Sequence, residues 1–365
     1  MPRRLAWFLL IALTVPCLAF GPAVLTESDL ARNGLTLQQI GDMRQVDVPQ
    51  LHAEAAVLVN PTTGQILYTL NEHEQRAPAS LTKIVTAIVA LQHERQDTKL
   101  VTTSADIMVY SVVGLESGEG LTLRELLYYL LLPSDNAAAM TIARTVGGDV
   151  ETFVGWMNEL AASWGMKDTH FVNPHGIDED GGYTTAYDEA IAAYYAMQNP
   201  VFAEIVRESL TYVGGRTVES TNKLLGLYSG TIGVKTGTTD LAGECLIAWV
   251  ERPAGTAMTV VMGSDDRFVD SVLLLDYFYA NFAEVTIDLK DTEQNRYRDD
   301  QGNWRAVCLQ APVTMLIDPS QVGSVTCYRR IDSIDSAHDP TQPVGILQIA
   351  LGGTIVREEA IYLRQ

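Results

Sequence analysis

The clearest periodic signal in the chain lies just after Ser80. There Leu81, Ile84, Val85, Ile88 and Val89 recur at the i, i+3, i+4, i+7, i+8 spacing of a helix with a buried stripe. Upstream, Ala55 to Val59 and Gln65 to Leu70 are apolar runs joined by Asn60-Pro61-Thr62-Thr63-Gly64, a turn composition that predicts a hairpin. Thr122-Leu123-Arg124-Glu125 is a capping box opening another helix, which Pro133 ends. A further helix is expected from about Ala137. Later the period shortens to that of strands. Thr231 to Gly237, Cys245 to Glu251 and Ala257 to Gly263 follow one another, broken by Gly and Pro, before Ser271 to Phe282 returns to a helical pattern. Helices enclosed between an early hairpin and late strands imply an α+β fold: one antiparallel sheet built from both ends of a domain, with helices packed on it. After about Glu284, short strands and turns punctuated by Pro312, Pro319, Pro340 and Pro343 predict a small all-β domain.

Composition narrows the function classes. The 365 residues suffice for one large domain and a smaller one, and 47% hydrophobic with 19% charged residues suits a packed globular chain. The formal charge of −20, with no basic run beyond Arg3 and Arg4, argues against a nucleic-acid partner, which would need clustered Lys and Arg. Those two arginines precede an apolar run from Leu5 to Phe20, interrupted by Pro16, with small residues at Ala19 and Gly21. The run is shorter than the ~20 apolar residues of a spanning helix, so a secretory signal over residues 1–21 is favoured over an uncleaved anchor. A mixed, polar lead-in over residues 22–50 follows. Outside the cytoplasm Cys308 and Cys327 could form a disulfide, a pairing the sequence leaves open, whereas Cys245 lies in an apolar run and reads as a buried small hydrophobe. There is no C-x-x-C, and His170 and His175 stand five apart, off the i, i+4 spacing of a zinc-peptidase helix. No metal or other cofactor is expected.

The chemistry starts at Ser80-Leu81-Thr82-Lys83. With Ser80 opening the helix, Lys83 lies one turn on, within reach of the hydroxyl. A serine is a poor nucleophile until a base takes its proton, and a lysine can do so once burial depresses its pKa. The pattern alone is weak, and a second copy occurs at Ser220-Thr221-Asn222-Lys223. Two further elements separate the copies. Ser134-Asp135-Asn136 follows the proline-terminated helix on a loop, its serine suited to relay a proton and its asparagine to hold Lys83 and a substrate amide. Lys235-Thr236-Gly237 lies on an expected strand, offering a fixed positive charge, a hydroxyl for a carboxylate, and a glycine that admits a ligand backbone. The second copy is followed by Leu224-Leu225-Gly226 rather than an amphipathic helix, and too little chain separates it from Lys235.

S-x-x-K, S-x-N and K-T-G in this order and context form the signature shared by class A β-lactamases and penicillin-binding proteins. The chain resembles the serine D-alanyl-D-alanine carboxypeptidases of the low-molecular-mass penicillin-binding proteins, a peptidase S11-like family. The likeness extends through Gly165-Met166, Asn173-Pro174-His175-Gly176, Thr185-Ala186-Tyr187-Asp188, Thr221-Asn222 and Leu224-Leu225 to Gly233-Val234, and covers about residues 50–284. It implies a β-lactamase/transpeptidase-like catalytic domain over residues 51–284 and a small β-domain over 285–365. It also implies Ser80, Lys83, Ser134 and Asn136 as catalytic residues, Lys235, Thr236, Gly237 and Thr238 as substrate-binding residues, and Arg267 as a candidate for the substrate's terminal carboxylate. Paired with Asp265 or Asp266, Arg267 would instead be an ordinary surface arginine. The implied partners are peptidoglycan stem peptides, with β-lactam antibiotics as covalent inhibitors. Two departures stand out. Asp135 occupies a position that is usually glycine in this family, and residues 361–365 lack the basic amphipathic helix that anchors many members to a membrane. Class A-like β-lactamase activity, esterase activity and an inactive wall-associated binding role are the alternatives. Residues 149–188 contain no E-x-x-L-N deacylation pattern, which predicts slow release of a penicilloyl group.

Overall fold

The computed structural model describes residues 47–364 except 333, 336 and 337; the expected signal peptide and most of the lead-in lie outside them. In the first compact unit, β1 (Ala55–Asn60) and β2 (Gln65–Leu70) form the expected hairpin. Small two-stranded pairs follow: β3 (Lys99–Val101) with β4 (Gly120–Thr122), and β5 (Leu210–Val213) with β6 (Arg216–Glu219). The late strands β7 (Thr231–Thr239), β8 (Gly243–Arg252) and β9 (Gly255–Ser264) make an antiparallel meander. β1 pairs with β9, Ala55 opposite Met262, so the sheet runs β2-β1-β9-β8-β7 and is closed from both ends of the unit. The sheet is antiparallel throughout, as the sequence implied. Every residue of β1 is buried, because helices cover both faces of the sheet and leave no solvent side to alternate with.

The helices are α1 (Lys83–His93), α2 (Leu123–Leu131), α3 (Asn136–Gly147), α4 (Val150–Trp164), α5 (Ala186–Met197), α6 (Pro200–Val206) and α7 (Arg267–Asn281). Lys83 to Ala90 are all buried, and α2, α3, α4 and α5 pack around α1. The predicted stripe is only part of this surface. Ala87 and Ala90 let neighbouring helices approach on its other sides as well. The α2 capping box is complete: Thr122 Oγ1 accepts from Glu125 N at 3.2 Å, and Glu125 Oε2 accepts from Thr122 N at 2.7 Å. α7 begins at Arg267 rather than Ser271, because Asp266 Oδ1 caps the amides of Phe268 and Val269 at 3.1 Å each.

The second unit, residues 282–364, contains no α-helix among its described residues. β10 (Ala283–Ile287) pairs with β13 (Val313–Ile317). β11 (Arg296–Arg298), β12 (Trp304–Cys308), β14 (Val325–Ile331), β15 (Gly345–Leu351) and β16 (Thr354–Leu363) form a sheet ordered β11-β12-β16-β15-β14. Val307, Leu309, Val313, Leu347, Ile349 and Ile361 make its core. The Cys308–Cys327 pairing left open by the sequence is not made, and both thiols are free. β16 and β15 lie between the strands that carry them, so three strand spacings, about 14 Å, separate β12 from β14. A disulfide needs Cα atoms about 4.4–6.8 Å apart.

Candidate active site

Ser80 does not open α1. It sits in the 3-10 turn Ala79–Thr82, and the α-helix starts at Lys83. The tighter turn serves the chemistry well, because residues i and i+3 of a 3-10 helix eclipse and Lys83 falls directly alongside Ser80. Ala79 holds φ at +47°, a strained value for a residue with a Cβ. Gly176 (φ +80°) lies against the Ala79 carbonyl oxygen so closely that an added Cβ would collide with it. A second strained residue, Ser134 at φ +66°, opens the S-x-N element.

Lys83 is fully buried, and its Nζ lies 2.7 Å from Ser80 Oγ, 2.8 Å from Asn136 Oδ1 and 2.7 Å from the His175 carbonyl oxygen. Burial pulls its pKa down to about 7, against an opposing pull from the Asp135 carboxylate. A neutral amine has two N–H donors and one lone pair. Asn136 and His175 offer only acceptor oxygens to it, so the lone pair is left for the Ser80 hydroxyl. Asn173 Oδ1 orients the His175 segment by accepting from the amides of His175 at 3.3 Å and Gly176 at 2.7 Å. Burial, and then Lys83, lowers the His175 pKa to about 4, so its ring is neutral near neutrality.

Lys235 and Thr236 are buried on β7, where Lys235 Nζ donates to the Thr236 carbonyl at 2.9 Å. Burial, with Lys83 and Arg267 adding repulsion, holds the Lys235 pKa well below the ordinary lysine value. Gly237 brings β7 against the nucleophile turn: a Cβ there would lie 3.1 Å from Ser80 N. Arg267 Nη1 donates to the Gly237 carbonyl at 2.6 Å and to Thr238 Oγ1 at 2.7 Å. Its ion-pair partner is Glu244 at 3.5 Å, neither Asp265 nor Asp266, so Arg267 lies across the K-T-G strand and not among the surface acids beside it.

The nine residues singled out in the sequence therefore do not all make the same kind of contact. Ser80, Lys83 and Asn136 form one hydrogen-bonded cluster, and Gly237, Thr238 and Arg267 another along β7. Ser134 Oγ is buried without a hydrogen-bond partner among the described residues. Three contributors had no assigned role in the sequence: the His175 carbonyl, Glu244, and Thr221, whose Oγ1 lies 2.5 Å from Thr236 Oγ1. His175 and Thr221 lie in runs that already resembled the family, but a backbone acceptor leaves no residue code.

A half-buried serine, a fully buried lysine and an asparagine thus stand hydrogen-bonded together beside the edge strand of an antiparallel sheet. The sequence matches the D-alanyl-D-alanine carboxypeptidase family, peptidase S11, over residues 42–266, and the chain belongs to that family. It is 27% identical to the D-alanyl-D-alanine carboxypeptidase DacF of Bacillus subtilis over 381 residues, covering 100% of this chain and 94% of the relative. It is 34% identical to DacD of Escherichia coli over 256 residues, 66% of each chain. Among solved structures it resembles penicillin binding protein 5 from Haemophilus influenzae in fold, with TM-score 0.71 and 24% identity over 88% of this chain and 98% of that one. The Streptomyces K15 DD-transpeptidase aligns with TM-score 0.61 and 32% identity over 64% of this chain and 98% of that one.

Proposed function

We propose that the chain is a serine D-alanyl-D-alanine carboxypeptidase that shortens peptidoglycan stem peptides through an acyl-enzyme on Ser80. Membership of peptidase S11 supports the activity. The observation that carries the assignment of Ser80 is the position of Lys83 Nζ, 2.7 Å from its hydroxyl and held by two acceptors that cannot take the serine proton. Neutral Lys83 removes that proton as Oγ attacks the carbonyl carbon between the two D-alanines. The amides of Ser80 and Thr238 stabilise the resulting oxyanion. The C–N bond then breaks, and Ser134 and Lys235 help pass the proton to the departing amine. Water attacks the acyl-enzyme and restores the serine. Lys235, Thr236, Thr238 and Arg267 hold the terminal carboxylate, with Arg267 supplying the planar charged fork that suits it.

No carboxylate hydrogen-bonds to Ser80 or Lys83 among the described residues, which supports slow hydrolysis of a penicilloyl-enzyme and covalent inhibition by β-lactams. We place the enzyme outside the cytoplasm, exported by residues 1–21, with catalysis in residues 51–284 and a separate β-domain in 285–365. The test is D-alanine release from a diacetyl-lysyl-D-alanyl-D-alanine peptide, compared with Ser80→Ala. A loss of at least about 1,000-fold is expected, and an unchanged rate would remove Ser80 from its role. Rapid turnover of nitrocefin would favour a β-lactamase instead.

A further inference from the structure

Asp135 departs from the family's usual residue and lies between two proposed catalytic residues, yet the mechanism above does not use it. Its side chain does not enter the cleft. It is completely buried, and Oδ1 accepts from Ala138 N at 2.8 Å, capping α3. Oδ2 accepts from Ser111 Oγ at 2.7 Å and from Val113 N at 3.0 Å, and Ser111 Oγ in turn accepts from Leu115 N at 2.9 Å. One carboxylate thus ties the first turn of α3, which carries Asn136, to the loop between β3 and β4. A second tie lies further along α3, where Arg144 Nη2 pairs with Asp106 at 2.8 Å. Between these anchors the loop exposes Met108 and Tyr110. Val112 and Val113 form one wall of a groove whose other walls include Pro133, Ser220 and Thr221, and Thr221 reaches Thr236.

We propose that Asp135 is a positioning residue for acyl transfer: its clamp on Ser111 and Val113 holds the loop wall and the Asn136 turn in the register that presents Lys83 to Ser80. The three donors to Asp135 are all neutral, and no described salt bridge includes it. Burying a carboxylate without a cation is costly, and an uncharged residue would suffice for a helix cap. A charge at this position has a second effect. Three titratable groups bear on Lys83: His175 from the loop before α5, Lys235 from β7 with Arg267 behind it, and Asp135 from the α3 turn. Asp135 is the anion of the three and favours the protonated amine.

The inference rests on the assignment of Ser80 and Lys83. The experiment compares Asp135→Asn, Ser111→Ala and Ser80→Ala with the wild type, reading melting temperature and the pH profile of acylation by a fluorescent penicillin. Asp135→Asn should move the midpoint of the rising limb down by about one pH unit and lower the plateau about tenfold. Ser111→Ala should lower the plateau by a similar factor and leave the midpoint in place, since the charge remains. A wild-type midpoint and plateau in Asp135→Asn, whatever its melting temperature, would reduce Asp135 to a helix cap and overturn the proposal. If that variant does not fold, an undiminished plateau in Ser111→Ala overturns it. Undiminished labelling of Ser80→Ala is a separate outcome, showing that the nucleophile was wrongly assigned and removing the basis for both readings.

Discussion

Substituting alanine for Gly237 probes the close approach of β7 to the nucleophile turn. The new Cβ would lie 3.0 Å from Ala79 Cβ, 3.1 Å from Ser80 N and 3.4 Å from Leu81 N. Comfortable carbon contacts begin at about 3.5 Å, so the methyl requires its neighbours to retreat by a few tenths of an ångström. None of these atoms is the free end of a flexible side chain. Two belong to the backbone of the Ala79–Thr82 turn, which is already strained at Ala79 and pressed by Gly176. Either β7 withdraws or the turn rotates, and both displace Ser80 N from Thr238 N, the two proposed oxyanion donors. Overpacking of this kind costs about 1–3 kcal/mol, or roughly 2–10 °C of melting temperature for a unit of this size. Full loss of one oxyanion donor costs about 100- to 1,000-fold in rate, so misalignment should slow acylation by a fluorescent penicillin about 10- to 100-fold. Gly155→Ala is the matched control. Gly155 is exposed within α4 with nothing within 4 Å of its added Cβ. The same methyl there should stabilise by about 0.5–1 kcal/mol and leave acylation unchanged. If Gly237→Ala acylated at the wild-type rate and melted with Gly155→Ala, β7 would not approach Ser80 so closely, and the oxyanion geometry would be wrong.

Three further outcomes follow from the buried charges. Acylation should rise with pH through about 7, the value to which burial brings Lys83, because only the neutral amine can take the serine proton; a flat profile across neutrality would exclude Lys83 as the base. Arg267→Ala should reduce kcat/KM for a D-alanyl-D-alanine peptide about 10- to 100-fold, the worth of charged hydrogen bonds. The rate should recover only poorly in Arg267→Lys, because a point charge lacks the planar fork. Glu189 is fully buried, and burial, against a smaller opposing pull from the Thr184 hydroxyl, raises its pKa from 4.5 to about 8. The folded state therefore holds this proton more tightly than the unfolded state, so stability is full below 4.5 and falls as pH rises towards about 8, by up to ~1.4 kcal/mol per pH unit. Glu189→Gln should flatten that decline in melting temperature, and an unchanged slope would show that Glu189 does not cause it.

Most of the frame was legible because it depends on local periodicity. The run Leu81 to Val89 announces a buried helix, and the Gly- and Pro-broken segments from Thr231 to Gly263 announce the three-strand meander. Contacts made at a distance were not legible in this way. Arg267 has two acids immediately before it, yet its partner is Glu244, because β8 returns beside β7 and the first turn of α7 faces that pair. Asp135 sits in a motif whose third member, Asn136, bonds Lys83. At the start of a helix, however, a short acid satisfies backbone amides, and this one faces inward to do so. The Cys308–Cys327 pairing failed because strand order, which spacing along the chain does not encode, puts two strands between them. The second S-x-x-K shows the limit most sharply. Among the described residues Ser220 Oγ accepts from the Asn222 amide at 3.2 Å, and Lys223 lies over the Phe268 ring at 5.8 Å, so the two are not paired as nucleophile and base. Thr221, a residue the pattern treats as filler, bonds Thr236 and, through its amide, the Leu132 carbonyl just before Pro133 and Ser134. The segment therefore belongs to the site, but as a brace between the second and third motifs. What assigns it that role is tertiary contact: Thr221 bonds both Leu132, just past the end of α2, and Thr236 on β7.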